Sequence, residues 1–150
     1  MLKVDLAVYD RRQNLVLTVE TKKILGVSDD WATQLRRNIL THGVYPRARY
    51  FLLATPDKFF LWVGKIKRSS TLGPDYSVDV ESILAPFFKE FGTDAASVSE
   101  FIFDQIVGKW LRSIMYPNLN GTKHQLPDWV EHSGLGEAIH QGDFFFEMAA

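Results

Sequence analysis

A chain of 150 residues with 46% hydrophobic and 23% charged residues has the composition of one folded globular domain and excludes a disordered chain. The absence of cysteine excludes a disulfide framework and a thiolate metal site, and fits a reducing, cytoplasmic setting. No apolar run is long enough to span a bilayer, so no membrane partner is expected. The net charge of −1 conceals an asymmetry: residues 1–70 carry 13 Lys and Arg against 6 Asp and Glu, and residues 71–150 carry 4 against 12. A basic first half suits a polyanion such as DNA. Docking of the acidic half against the basic half is the alternative.

In chain order, Val4 to Asp10 and Leu15 to Lys22 are rich in Val, Leu and Tyr and flank a polar stretch, Arg11-Arg12-Gln13-Asn14. This pattern predicts a β-hairpin. With the polar residues as the loop, paired positions sum to 25 and Asp5 lies opposite Glu20. Lys22 follows Glu20 by two and shares its face. Ser28-Asp29-Asp30 supplies an N-cap for a helix over 30–41, with Trp31, Leu35 and Ile39 toward the sheet and Gln34, Arg37, Asn38 and Thr41 on a polar stripe. Residues 49–55 read as a buried strand and 59–63 as a returning strand. A helix between two strands permits a parallel crossover, so the sheet is expected to be mixed.

Residues 64–78 read as a basic-to-polar loop carrying Lys65, Lys67 and Arg68. The rest reads as helical. A helix over 79–91 contains Pro86, and a longer one over 97–115 has Phe101, Ile102, Ile106, Trp110, Leu111 and Ile114 at helical spacing. Short helices near 128–133 and 135–140 precede an aromatic tail, Phe144-Phe145-Phe146. The expected organisation is a single domain over 1–150, with a sheet core over 1–68 and a helical layer over 79–141.

Two carboxylates and one ammonium grouped on a hairpin suit divalent-metal chemistry. Asp and Glu oxygens hold Mg²⁺ while leaving it several waters, and a nearby Lys orients an attacking water. A cross-strand salt-bridge cluster is the alternative reading of the same trio. The four histidines show no metal-ligand spacing, and there is no Gly-rich phosphate loop or nucleophile-elbow motif.

Val4-Asp5-Leu6, then Glu20-Thr21-Lys22, then a helix with Gln34 and a strand over 50–55, resemble the PD-(D/E)xK nuclease superfamily. Within it they are closest in pattern to the N-terminal nuclease domain of type I restriction enzyme motor subunits. The resemblance covers about the first 65 residues. It implies an α/β, restriction-endonuclease-like mixed sheet with flanking helices and a metal-dependent DNA endonuclease activity. Asp5 and Glu20 would bind Mg²⁺ or Mn²⁺, with the Thr21 carbonyl as a further ligand. Lys22 would position the water, and Gln34 would support the water, the lysine or the DNA. Arg36, Arg37, Lys65, Lys67 and Arg68 are the candidate phosphate contacts.

Val4 stands where the family has proline. The helix and first strand that usually open the family core, the helix often bearing another acidic residue, have no counterpart ahead of Asp5. That absence admits a catalytically inactive binding or assembly module. It also leaves a sheet edge near the hairpin open, from which a homodimer is expected.

Overall fold

The structure, a computed structural model, describes residues 4–42, 46, 48–64, 72–118 and 125–146. Its centre is a six-stranded mixed sheet. The strands are β1 (Leu6–Tyr9), β2 (Leu15–Thr21), β3 (Tyr50–Ala54), β4 (Lys58–Val63), β5 (Tyr76–Asp79) and β6 (Asp143–Phe146), arranged β5-β4-β3-β2-β1-β6. The β2–β3 pair is parallel and the other four pairs are antiparallel.

The hairpin register is the expected one along most of its length: Leu6 faces Val19, Ala7 faces Thr18 and Val8 faces Leu17. It slips by one at Tyr9, which faces Leu15. The turn that follows is closed by the Asp10 carboxylate, which accepts the amides of Arg12 and Asn14, and Gln13 takes a positive φ of 68°. Such self-capping is the usual work of Asp in a turn.

Helix α1 (Asp29–Thr41) makes the crossover from β2 to β3. Ser28 caps it by accepting the Trp31 amide. Its most deeply buried positions are Ala32 and Arg36, with Trp31, Leu35 and Ile39 packed beside them. Beneath it lie Phe51, Leu53, Phe60 and Trp62, the odd positions of β3 and the even positions of β4. Strand alternation sends the other parity to the opposite face. There Leu17, Val19, Tyr50, Leu52, Phe59 and Leu61 meet α2 (Glu81–Glu90), α3 (Glu100–Met115), α4 (Asp128–His132) and α5 (Leu135–Ile139). Trp110 of α3 stacks on Trp129 of α4 and meets Phe59 edge-on. Each such fully buried side chain contributes about 1.5–3 kcal/mol. Pro86 is tolerated within α2 because it stands on the exposed side, where the carbonyl left without a donor meets water.

Three sequence expectations are corrected. The stretch 64–78 is not all loop, because Tyr76–Asp79 forms β5, and α2 accordingly starts at Glu81. The 143–146 tail is not an appendage but the edge strand β6, paired with β1 from Leu6↔Phe146 to Tyr9↔Asp143. The hairpin edge from which a homodimer was expected is therefore covered within the chain. Phe101 is turned outward and 70% exposed, whereas Phe103 is buried. Lys65, Lys67 and Arg68 lie outside the described residues. No helix among the described residues is long and apolar enough to cross a membrane.

Two glycines seat β6. A Cβ on Gly108 of α3 would stand 3.0 Å from the Phe144 ring and 3.2 Å from that of Phe146, so the helix can press on the strand only without a side chain there. A Cβ on Gly142 would stand 2.1 Å from the Tyr9 carbonyl oxygen, a backbone atom that cannot rotate away. The same segment is pinned by the Tyr116 hydroxyl, which donates to the Gly142 carbonyl at 3.0 Å. Gly142→Ala should therefore cost about 1–3 kcal/mol of stability, the usual cost of overpacking. Urea denaturation checks this, with Ala138→Gly, a change away from that contact, as the comparison.

Candidate functional site

The C-terminal end of β2 turns a short polar sequence into a site because neighbouring residues face different layers. Thr18 and Glu20 fall on the α1 side with their β3 partners Phe51 and Leu53, and Thr21 falls on the α3 side with its partner Ala54. Lys22 continues the ladder, its amide donating to the Ala54 carbonyl at 2.9 Å. A trans peptide points its carbonyl opposite to its N–H, so the Thr21 carbonyl points away from β3, toward Asp5.

Asp5 lies just before β1 and folds over the end of the hairpin. Its Oδ2 accepts the Thr21 amide at 2.8 Å and lies 3.2 Å from the Thr21 hydroxyl. That hydroxyl also donates to Oδ1 of Asp104 on α3, at 2.5 Å. One threonine thus joins a carboxylate from the hairpin to a carboxylate 83 residues away in sequence. These groups line a cleft of about 360 Å³ together with Glu20, Lys22 and Lys23. Glu100, one turn before Asp104, and Ile39 of α1 close its sides. Glu20 is 9% exposed, while Lys22 and Lys23 are open to solvent.

The expected trio Asp5, Glu20 and Lys22 is brought together, with Thr21 among them. Gln34 is not. It is exposed on α1, and Ile39 is the residue of that helix that reaches the cleft. The first turn of α1 is fastened to β5, where the Ser77 hydroxyl donates to Asp29 at 2.7 Å, and the cleft is met only near the helix's other end. Arg37 is exposed, but Arg36 is 5% exposed and lies over the Phe51 and Trp62 rings at 5.8 and 5.1 Å. Its Nε and Nη1 have no hydrogen-bond partner among the described residues. Desolvation lowers its pKa, and the nearby Asp75 carboxylate opposes that shift. The expectation that Arg36 meets phosphate is corrected: helical periodicity puts it under α1, in line with Ala32.

Asp104 and Glu100 were not singled out from the sequence. Their i, i+4 spacing on a helix reads equally as a solvated face, and only packing of α3 onto the sheet end brings them to Asp5. Burial holds the Asp104 carboxyl above its ordinary range. The Thr21 hydrogen bond pulls it back, and the charges of Asp5 and Glu100 push it up again. Among the described residues, no three His, Cys, Asp or Glu side chains stand close enough to hold a metal ion by themselves. The oxygen donors nevertheless suit Mg²⁺, which is commonly held by one or two carboxylates with waters and substrate oxygens completing its shell. The Asp104 pKa is raised mainly by burial, with the charges of Asp5 and Glu100 adding to it.

A larger cleft, about 940 Å³, lies at the opposite end of the sheet between the β1–β2 turn and α4–α5. Arg11, Arg12 and Arg49 line it, but so do Asp10, Glu131 and Glu137, so its charges balance. It has no counterpart of the Asp5–Thr21–Asp104 linkage, and volume alone does not make chemistry.

Two measurements test this geometry. The folded state holds the Asp104 proton more tightly than the unfolded chain does, so stability falls as pH rises above the ordinary value of 3.8 and stays lowered at neutral pH. Asp104→Asn should therefore be more stable than the parent at pH 7, with the difference disappearing in acid, as thermal melts across pH would record. Arg36→Met should keep the fold, because the guanidinium's place is over the Phe51 and Trp62 rings, and circular dichroism with a thermal melt checks this. Comparison with family models, curated proteins and solved structures finds no match.

Proposed function

We propose that this chain is a metal-dependent phosphodiesterase acting on DNA, with a restriction-endonuclease-like sheet of the PD-(D/E)xK type. The observation that carries the reading is the convergence of Asp5, Glu20, Lys22 and Asp104 around Thr21 at one end of the sheet. The topology adds support. β6 lies antiparallel along the free edge of β1, and α3 brings Asp104 to Asp5. Both elements come from later in the chain and complete the sheet edge and the cleft around Asp5.

In this reading Asp5 and Glu20 would hold Mg²⁺ or Mn²⁺, with the Thr21 carbonyl as a further ligand and waters completing the shell. The ion, when bound, supplies a Lewis acid and a water of lowered pKa. The chain's own residues do the rest. The Lys22 ammonium, exposed at the mouth of the cleft, orients the attacking water and offsets charge developing on the phosphate. Thr21 fixes the two aspartates, so that neither must be recruited when substrate arrives. Ile39 and Phe103 form the apolar walls that limit water around the reacting groups.

A second reading, a non-catalytic binding or assembly module, is favoured by one observation: no three ligating side chains already converge among the described residues. The two readings give opposite results with purified protein, plasmid and single-stranded DNA in Mn²⁺ or EDTA. The nuclease reading expects cleavage in Mn²⁺ that is lost in Glu20→Ala and Lys22→Ala, each with an unchanged circular dichroism spectrum. Glu20→Ala cutting as fast as the parent would overturn the metal assignment. Metal should also raise the melting temperature by binding only the folded state, about 2.7 kcal/mol at a hundredfold excess over Kd. That gain should be absent in Asp5→Asn and Glu20→Gln. A flat response at millimolar Mn²⁺ would favour the module.

A further inference from the structure

Large apolar side chains left in water are unevenly placed in this molecule. Of those exposed among the described residues, the aromatic ones are Phe101, Phe145 and Phe146. Two of them, Phe101 and Phe146, meet α3 on either side of the cleft residue Asp104. Phe101, 70% exposed, follows the cleft residue Glu100 and stands one turn before Asp104. Phe146, 39% exposed, packs on α3 at Gly108, one turn after Asp104, and pairs in register with Leu6, the residue next to Asp5. The two rings therefore attach to α3 at points about 10 Å apart, at 1.5 Å per residue, with Asp104 between them. Phe145 alternates to the opposite face of the strand, 56% exposed and edge-on to Tyr9, and is not part of this pair. Across the cleft, Lys22 and Lys23 are both exposed.

Aromatic faces beside exposed ammonium groups match one kind of polymer: a charged backbone whose flat bases are free to stack. In a duplex the base faces are already stacked on one another, and a ring can reach them only by unstacking the helix. An unpaired strand offers those faces at no such cost, and each base stacked on an aromatic ring contributes appreciably to affinity. We infer that the cleft takes single-stranded nucleic acid, with bases stacked on Phe101 and Phe146 and the backbone drawn past Lys22 and Lys23. This inference rests on the phosphodiesterase reading above and narrows its substrate to unpaired strands.

The test uses the full chain, a labelled oligonucleotide, and its duplex with the complementary strand. Binding is followed by fluorescence polarisation in Ca²⁺, and cleavage in Mn²⁺. The single strand should bind about tenfold or more tightly than the duplex, and Phe101→Ala and Phe146→Ala should each weaken single-strand binding about fivefold or more. Duplex binding should change less than twofold in either variant. Phe101 is mostly solvated, so its alanine variant keeps the fold, and thermal melts check Phe146→Ala. Equal or tighter duplex binding, or alanine variants that bind the single strand like the parent, would overturn the inference. So would a parent dimer in light scattering that dissociates in both variants with nucleic-acid affinity intact, because the rim would then belong to a second copy. Failure here is separable from failure of the phosphodiesterase reading. Duplex cleavage that requires Glu20 and Lys22 but ignores the phenylalanines sinks only the strand preference. The absence of any metal-dependent cleavage sinks the reading beneath it.

Discussion

The parallel pairing of β2 with β3 is the constraint on which the rest of this molecule depends. Parallel neighbours cannot be joined by a tight turn, so the chain must leave the sheet, cross one face as α1 and return. That crossover covers one face with a single helix and leaves the other to α2 through α5. It also ends β2 in open space between the two layers. Within three consecutive residues Glu20, Thr21 and Lys22 alternate between the α1 side and the α3 side. A site that draws on both layers therefore needs no loop of its own.

Thr21 turns that position into a junction. Its amide and hydroxyl reach Asp5, and its hydroxyl reaches Asp104, tying the start of β1 and the first half of α3 to one strand end. Burying the Asp104 carboxylate beside Asp5 works against folding, as its raised pKa, set first by desolvation, records. Groups held at such a cost gather at functional sites more than elsewhere. The stability comes from the apolar layers on either side: Trp110 between Phe59 and Trp129, and the aromatic floor beneath α1. The buried guanidinium of Arg36 belongs to that floor, lying over the Phe51 and Trp62 rings with the Asp75 carboxylate nearby.

The edge strand β6 shows how late contacts complete an early core. The hairpin would otherwise expose the outer edge of β1. Four residues from near the end of the chain cover it in antiparallel register, seated by the missing side chains of Gly108 and Gly142. The helix that seats β6, α3, also carries Glu100, Phe103 and Asp104 into the carboxylate cleft.

Much of this was legible in the sequence. Alternating Val, Leu and Tyr around Arg11-Arg12-Gln13-Asn14 determined the hairpin, and its length determined the register that puts Asp5 beside Glu20. Ser28 marked the start of α1, and the apolar run after Arg49 marked a strand buried on both faces. These signals are local, carried by periodicity and capping within a few residues. The helix face that α1 buries was only partly legible, because arginine at position 36 reads as surface until two aromatic rings are placed beneath it. β5 and β6 were hidden, since four-residue edge strands have too little alternation to separate from loop or tail. Glu100 and Asp104 were hidden for a different reason: two acids one turn apart look like any solvated helix. Local sequence determined which strands and helices form, while the packing of α3 and β6 onto the far end of the hairpin decided which residues meet, because contacts between positions 83 residues apart leave no periodic trace in the chain.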